Sequence, residues 1–477
     1  MECRKVKNGF LERVSELVFI INRKGIFIKP RNQTESVIIY NIAPKKMLFD
    51  ISYLISWWMV ILWILPKISI VKNLGFSAVQ VQGLFSLKVV VGIGFTLFYH
   101  YYYGSRTSTD AFRFYDDANL LFEVFKSDPI TYTKIVFGID MQSAPVIEAT
   151  DQLNNWYKNH LHGVFNDNMT IIRFNALVRL FSFNVYHIHT LIINLLAFLG
   201  LAALVNATKS LVDNTKLSFL SILLFPGIIF WASAVLKESL LIFAMGFLTY
   251  YGLRAISSFS LKNISFFLLF LLFGMTIKSY VAIALSIGFG LLLASKITSI
   301  KTRLLAPLYL GLGAGSTVLL NALLNLNIPE RFYQKQHDFL NEIAISKPGS
   351  AFDLFVLEPT WVSLFKTAPN AFSNALFRPF IWEAHSIISL VASFEILLLI
   401  SLAIIALWFK QQLNQQQTQL IVAFSISAIV ILLIAGWVTP VFGALVRYKI
   451  PALILILIIL NILVDTKKIP FIQKWLN

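Results

Sequence analysis

Acidic residues are concentrated in one segment of an otherwise basic chain. Residues 105–170 contain nine carboxylates and five lysines or arginines, a local charge of 5 − 9 = −4, whereas the whole chain has a formal net charge of +16. Carboxylates gathered this closely repel one another, so the segment is a candidate for binding or chemistry. The nine are Asp110, Asp116, Asp117, Glu123, Asp128, Asp140, Glu148, Asp151 and Asp167.

Asp110, Arg113 and Asp117 are spaced so that they share one face of a helix, and Asp116 lies beside them. A carboxylate on that face could accept a proton from a hydroxyl group as a general base, or hold a divalent cation such as Mg²⁺ or Mn²⁺. The alternative is a helix start in which first-turn acids complement the helix dipole. That alternative accounts well for Asp110 and poorly for the adjacent pair, so all three aspartates are candidate catalytic residues.

A second candidate group is cationic and lies at the ends of apolar runs. Lys237 precedes Glu238, Lys278 separates two apolar stretches, and Arg447 is followed by Tyr448. A phosphate or pyrophosphate would explain such cations, because lysine supplies a point charge and arginine a two-pronged hydrogen-bonding fork. The alternatives are pairing with the acidic segment and extension of the side chain to the membrane surface.

The composition requires that membrane helices position these residues. The chain is 57% hydrophobic and 13% charged, with a mean hydropathy of +0.72, and its apolar runs match the roughly 20 residues that cross a bilayer. We therefore predict an all-α, polytopic membrane helix bundle of about ten to eleven transmembrane helices. The expected spans are 49–66, 82–103, 186–206, 217–232, 238–254, 263–277, 280–295, 304–325, 386–409, 419–437 and 448–464.

Basic connections alternate with the candidate groups, so the positive-inside rule puts both groups on the extracytoplasmic side. The first extracytoplasmic loop is expected to contain amphipathic helices. The predicted segments are a basic cytoplasmic or interfacial N-terminal region (1–48), N-terminal membrane helices (49–104), the acidic extracytoplasmic loop (105–185), a transmembrane core (186–325), a second extracytoplasmic loop (326–385), C-terminal membrane helices (386–464) and a cytoplasmic tail (465–477).

The side of the N-terminus is left open by this topology. A basic N-terminus belongs in the cytoplasm, yet two full crossings before residue 105 would put the acidic segment there as well. Either the first apolar segment does not cross fully, or the N-terminus is outside. The excess positive charge indicates contact with anionic lipid, and we expect no nucleic-acid partner.

Two weaker patterns favour packing over chemistry. His187 and His189 are two residues apart and do not share a helical face, and His160 and His162 have the same spacing, so both pairs are interpreted as packing or interfacial histidines. The glycine-rich stretch 311–316 lies inside an apolar run with no preceding strand, which favours close helix packing over a phosphate-binding loop.

Three short motifs resemble those of the GT-C superfamily, whose members are membrane glycosyltransferases that use polyprenyl-phosphate-linked sugars. The chain has an Asp-Ala segment at Asp110, the turn Phe230-Trp231-Ala232-Ser233-Ala234-Val235-Leu236-Lys237-Glu238, and the ending Arg447-Tyr448-Lys449-Ile450-Pro451. Similar motifs occur in polysaccharide-polymerase-like membrane proteins. The chain departs from the resemblance at Lys278-Ser279, where such proteins often have Arg-Pro, and it has no large C-terminal extracytoplasmic domain.

The resemblance implies a bacterial inner-membrane enzyme of cell-surface glycan assembly. Its partners would be a polyprenyl-linked sugar donor, a glycan or lipid-linked acceptor, and the lipid bilayer. Lys237, Lys278 and Arg447 would bind the donor phosphate, and one of the three aspartates would activate the acceptor. Loop 326–385, with His337 and Arg378, would cover the site. A repeat-unit polymerase and a lipid-linked glycan flippase or transporter are the alternative functions.

Overall fold

The computed structural model describes residues 44–103, 109–157, 166–346 and 348–469, and within them the chain is almost entirely helical. The chain divides into two compact units at Tyr53–Leu54, and the description below concerns the second. The helices are α1 (Pro44–Ile64), α2 (Ser69–Lys72), α3 (Ala78–Tyr103), α4 (Asp110–Ser127), α5 (Pro129–Phe137), α6 (Ala144–Asp151), α7 (Asp167–Ser182), α8 (Tyr186–Thr208), α9 (Thr215–Leu223), α10 (Pro226–Trp231), α11 (Lys237–Ser257), α12 (Leu261–Thr298), α13 (Thr302–Leu324), α14 (Ile328–Ser346), α15 (Trp361–Phe377), α16 (Ile387–Trp408), α17 (Gln415–Val438), α18 (Phe442–Tyr448) and α19 (Ile450–Leu463).

Eight of these helices are long and apolar enough to cross a membrane, and α18 with α19 forms a ninth candidate that is bent by 50°. The predicted all-α membrane bundle is therefore confirmed. The expected span 217–232 is wrong as a single helix, because it breaks at Leu224–Phe225 into α9 and α10. Pro226 causes the break, since it has no backbone N–H to continue the helix and occupies the first turn of the next one.

Helix α12 folds back on itself at Lys278, so its 38 residues form a hairpin with two arms. Lys278 has non-helical backbone angles (φ −146°, ψ 92°). A Cβ atom on Gly274 would lie 3.6 Å from the Cβ of Ala282, although residues eight apart in a straight helix are separated by about 12 Å. The rings of Phe267 and Phe289 also meet, at 5.6 Å. The turn predicted near residue 278 is thus confirmed, and its tip carries the lysine.

Glycines bring the central helices together. A Cβ on Gly246 of α11 would lie 1.9 Å from the carbonyl oxygen of Gly200 in α8, so the two backbones touch. By contrast, a Cβ on Gly311, Gly313 or Gly315 of α13 would meet no atom of another described element within 4 Å. The packing role predicted for this glycine-rich stretch is therefore wrong within the described chain, where this part of α13 is exposed.

The acidic loop folds into four helices, α4 to α7, of which α7 leads directly into the membrane helix α8. His189 of α8 is fully buried, and its ring nitrogens lie 2.8 Å from Asn175 Oδ1 and 3.0 Å from Ser182 Oγ, both in α7. This confirms its interpretation as a packing histidine. His160 and His162 lie outside the described residues.

Candidate active site

Three cations that are far apart in sequence converge because each stands where a membrane helix starts, turns or ends. Lys237 is the first residue of α11, Lys278 is the tip of the α12 hairpin, and Arg447 lies in the last turn of α18. They meet Asp110 of α4, Asp167 of α7 and Glu238 of α11. We call these six residues the charge cluster.

Glu238 is the centre of the charge cluster. Its carboxylate accepts from Lys278 Nζ at 3.0 Å and from Arg447 Nη2 at 3.2 Å, and its side chain is only 1% exposed. Arg447 Nη1 reaches Asp110 Oδ2 at 3.1 Å, and Lys237 Nζ lies 2.9 Å from Asp167 Oδ2. Three cations thus face three carboxylates, which is how charges in a region of low dielectric constant avoid the cost of an unpaired ion.

Aromatic rings enclose the cations on their remaining sides. Arg447 lies 5.2 Å from the ring centre of Trp231, Lys278 Nζ 4.4 Å from that of Tyr448, and Lys237 Nζ 4.9 Å from that of Phe114. A cation over an aromatic face is attracted by the ring quadrupole, and the attraction grows as water is excluded. The rings therefore fix the cations in place and add no charge.

Asp110 is the carboxylate of the charge cluster that solvent reaches best, with a side chain 40% exposed, against 26% for Asp167 and 1% for Glu238. Burial alone would raise the pKa of Asp110, but the positive charges of Arg447 and Lys237 outweigh it and lower that pKa. Asp110 is therefore a negatively charged partner of Arg447 and the most accessible acid of the charge cluster.

The other two predicted catalytic aspartates are not among the ion pairs of the charge cluster. Asp117 is fully buried, and its two oxygens accept from the backbone N–H groups of Asn154 (3.1 Å) and Asn155 (2.8 Å). Burial raises the pKa of Asp117. Its contacts hold the 152–157 loop against α4. Asp116 and Arg113 are half-buried on the same helix.

The two supporting residues predicted in the second loop, Arg378 and His337, are not members of the charge cluster. Arg378 pairs with Glu383 at 2.7 Å, and its carbonyl accepts from Lys449 Nζ at 2.9 Å. His337 is exposed on α14 with Asn341 at 3.0 Å. The loop nevertheless reaches the cluster, because Phe339 of α14 lies 6.3 Å from the ring of Tyr448.

Asp167 has a place in the site that its sequence position did not reveal. It belongs to the acidic segment, but as the first residue of α7 it resembles an ordinary helix-start acid. Its role depends on α7 lying against the hairpin tip, where Thr170 Oγ1 donates to the carbonyl of Thr276 at 2.9 Å. Only this packing places Asp167 beside Lys237.

Two further charged side chains are buried inside membrane helices. Lys88 of α3 is fully buried and donates to the carbonyl of Ala232 and to Ser233 Oγ, the latter at 3.1 Å. Glu395 of α16 is 3% exposed, and a Cβ on Gly227 would lie 2.4 Å from its carboxylate. The sequence singles out neither residue, because a single charge does not interrupt a long apolar run.

Among the described side chains, no three histidine, cysteine, aspartate or glutamate residues are grouped to hold a metal ion. The carboxylates of the charge cluster face cations, so as arranged they do not fit a magnesium or manganese centre. A scan of protein-family models finds none that matches this chain, and searches of curated proteins and of solved structures also find no match.

Proposed function

We propose that this protein is an integral membrane glycosyltransferase that uses a polyprenyl-phosphate-linked sugar in cell-surface glycan assembly, in the bacterial inner membrane. The observation that carries the proposal is the arrangement Asp110–Arg447–Glu238. A buried glutamate holds the arginine on one side, while an accessible aspartate occupies its other side. The fixed arginine can bind an anion, and the aspartate can move away from the arginine to make room for it.

In the proposed mechanism, the donor phosphate replaces Asp110 on Arg447, which remains fixed by Glu238. The released carboxylate of Asp110 accepts the proton of an acceptor hydroxyl as its oxygen attacks the anomeric carbon. The bond between the anomeric carbon and the phosphate oxygen breaks, and the lipid phosphate leaves with an additional negative charge. Lys237, Lys278 and Arg447 stabilise that charge as it develops.

Glu238 is a positioning residue in this mechanism. With its side chain 1% exposed, it is not within reach of a substrate, but it is paired with both Lys278 and Arg447. Two cations fixed in advance need no reorganisation during the reaction, which is the main advantage of a preorganised site. The acceptor is a glycan or a second lipid-linked sugar. Anchoring donor and acceptor in the same bilayer brings their reacting groups close together.

The test is complementation of a deletion strain, followed by mass spectrometry of its surface glycans. We expect the deletion to shorten or remove a glycan, wild type to restore it, and Asp110→Asn to fail. Asp140→Asn is the matched control, since Asp140 is an exposed acid of the same loop paired with Lys134 at 2.7 Å, and it should restore the glycan. An unchanged glycan profile in the deletion strain would contradict the proposal.

Two other functions compete with this one. A polymerase of lipid-linked repeat units would depend on arginines of the outer loops and would tolerate Asp110→Asn. A flippase or transporter is favoured by one observation, the burial of Lys88 and Glu395 within membrane helices, where ionisable residues commonly mark transport paths. Transport predicts that Glu395→Gln abolishes movement of a lipid-linked glycan in reconstituted vesicles that contain no acceptor.

A further inference from the structure

A cavity of about 460 Å³ lies between α2, α8, α11 and the start of α12. Its wall is fixed by two hydrogen bonds from α8 and the residue following it. Asn206 donates to the carbonyl of Ile70 at 2.6 Å, and Lys209 donates to that of Asn73 at 2.8 Å. The volume lies within the range of small-molecule sites, roughly 300–1,000 Å³.

The cavity lies at the end of α11 opposite the charge cluster. Helix α11 begins with Lys237, in the charge cluster, and Arg254 in its last turn lines the cavity. Seventeen residues of helix separate them, about 26 Å at 1.5 Å per residue, which is close to the roughly 30 Å of a hydrocarbon core. Nothing that binds here therefore takes part directly in the charge cluster.

The cations of this cavity are not balanced by acids. Arg254 and Lys262 are its only charged lining residues, and neither makes an ion pair in the part of the chain that the structure describes. The guanidinium of Arg254 lies 4.6 Å from the ring centre of Tyr250, which leaves its edge available for hydrogen bonding. Asn73 and Asn263 add amide groups to the same lining. This is the reverse of the charge cluster, where every cation faces a carboxylate.

The cavity is also polar at one end and apolar at the other. Phe247 lines it seven residues before Arg254, which is about 10 Å deeper along α11. Leu199 of α8 contributes to the apolar lining. A free phosphate ion would use only the polar end, whereas a lipid would place its phosphate between the cations and its chain along the apolar wall.

We propose that this cavity binds the phosphate headgroup of an anionic membrane lipid. Arg254 and Lys262 bind the phosphate, with arginine as a fork and lysine as a point charge. The asparagine amides donate to the remaining oxygens. Basic pockets between membrane helices are suited to such headgroups. The site is independent of the proposed transferase activity, and so is its test.

The test uses purified full-length protein in nanodiscs of phosphatidylcholine with a small fraction of phosphatidic acid, and native mass spectrometry of the retained lipid. Arg254→Gln with Lys262→Gln should weaken retention of phosphatidic acid about 20–30-fold, since each cation near an anionic lipid contributes several-fold. Lys301→Gln with Arg303→Gln removes the same charge from the next exposed connection, between α12 and α13, and should leave retention unchanged. Ser69→Trp should also weaken retention, because it narrows the cavity without altering charge.

These outcomes decide whether the cavity binds a lipid headgroup. Equal losses in the two charge-removing double variants would show a general surface attraction and overturn the proposal. Unchanged retention of phosphatidic acid in both the Ser69→Trp variant and the Arg254→Gln, Lys262→Gln double variant would also overturn the proposal. Displacement of phosphatidic acid by millimolar inorganic phosphate would identify soluble phosphate as the ligand and refute the lipid assignment. Size-exclusion profiles matching wild type establish that the variants are folded.

Discussion

Replacing Glu238 by glutamine tests whether the charge cluster depends on buried charge. The substitution keeps the volume and one acceptor but removes the carboxylate that faces both Lys278 and Arg447. Arg447 keeps Asp110 as a partner at 3.1 Å, whereas Lys278, with a side chain 6% exposed, loses the only carboxylate within 4 Å among its described neighbours. Removing one partner of a buried ion pair costs about 3–5 kcal/mol. We expect a loss of that size in the free energy of unfolding.

The matched control is Glu123→Gln. Glu123 pairs with Lys126 at 2.8 Å, which is shorter than the 3.0 Å of the Glu238–Lys278 pair, but both side chains are more than half exposed, at 65% and 55%. Distance alone predicts the larger effect for Glu123, whereas burial predicts it for Glu238. Water screens an exposed pair, so this variant should unfold almost as wild type does.

The assay is unfolding by sodium dodecyl sulfate in mixed micelles, with free energies compared between variants. Adding Lys278→Met to Glu238→Gln should recover part of the loss, because the double variant no longer buries an unpaired ammonium group. Equal effects of the two glutamine variants, or a double variant less stable than Glu238→Gln alone, would refute the reasoning.

Three further predictions concern the acidic loop and the helix contacts. Asp117→Ala should accelerate hydrogen exchange at the two loop amides that its carboxylate binds. The increase should correspond to the cost of leaving buried groups unpaired, roughly 1–3 kcal/mol. The variant should keep the wild-type glycan profile, which distinguishes it from Asp110→Asn. Gly246→Leu should reduce the yield of monodisperse protein, because its side chain would overlap the Gly200 carbonyl at a cost of about 1–3 kcal/mol or more, whereas Gly311→Leu should extract as wild type. The Arg447–Asp110 pair lowers the pKa of Asp110, so its contribution to stability is complete above the unfolded-state pKa of about 3.9 and is lost as the pH falls through the lower folded-state value. Acid titration of Asp110→Asn should therefore show a smaller loss of stability below about pH 4 than wild type, and identical curves would disprove the pair's contribution.

The membrane helices could be predicted from the sequence because each apolar run ends at a polar or charged residue. The hairpin of α12 is an instructive case. An apolar stretch of 38 residues is too long for one crossing, and Lys278 lies near its middle, so a turn there follows from bilayer thickness alone. The break before Pro226 follows from the missing backbone N–H of proline. A hydropathy average over residues 217–232 does not detect it and predicts a single span.

The partners within the charge cluster could not be predicted, because they depend on long-range packing. Arg447 reaches Glu238 across 209 residues and Asp110 across 337. Asp110, which faces this arginine, and Asp117, which binds two loop amides, lie on the same face of α4, so their helical spacing does not assign their roles. Their roles separate only where the 152–157 loop meets α4, because Asn154 and Asn155 bind Asp117 there.

The separations along the chain also imply an order of assembly during synthesis. Glu238 and Lys278 are 40 residues apart, so the carboxylate and the ammonium group are both present once the α11–α12 hairpin has left the ribosome. They can enter the membrane as a neutral pair, because Lys278 at the hairpin tip already has its counter-ion. Arg447 is made much later, after Asp110, Asp167 and Glu238 have all been synthesised. The last helices therefore complete the charge cluster. A chain truncated before α18 should insert the hairpin, but Asp110 and Glu238 would then lack Arg447 as a partner.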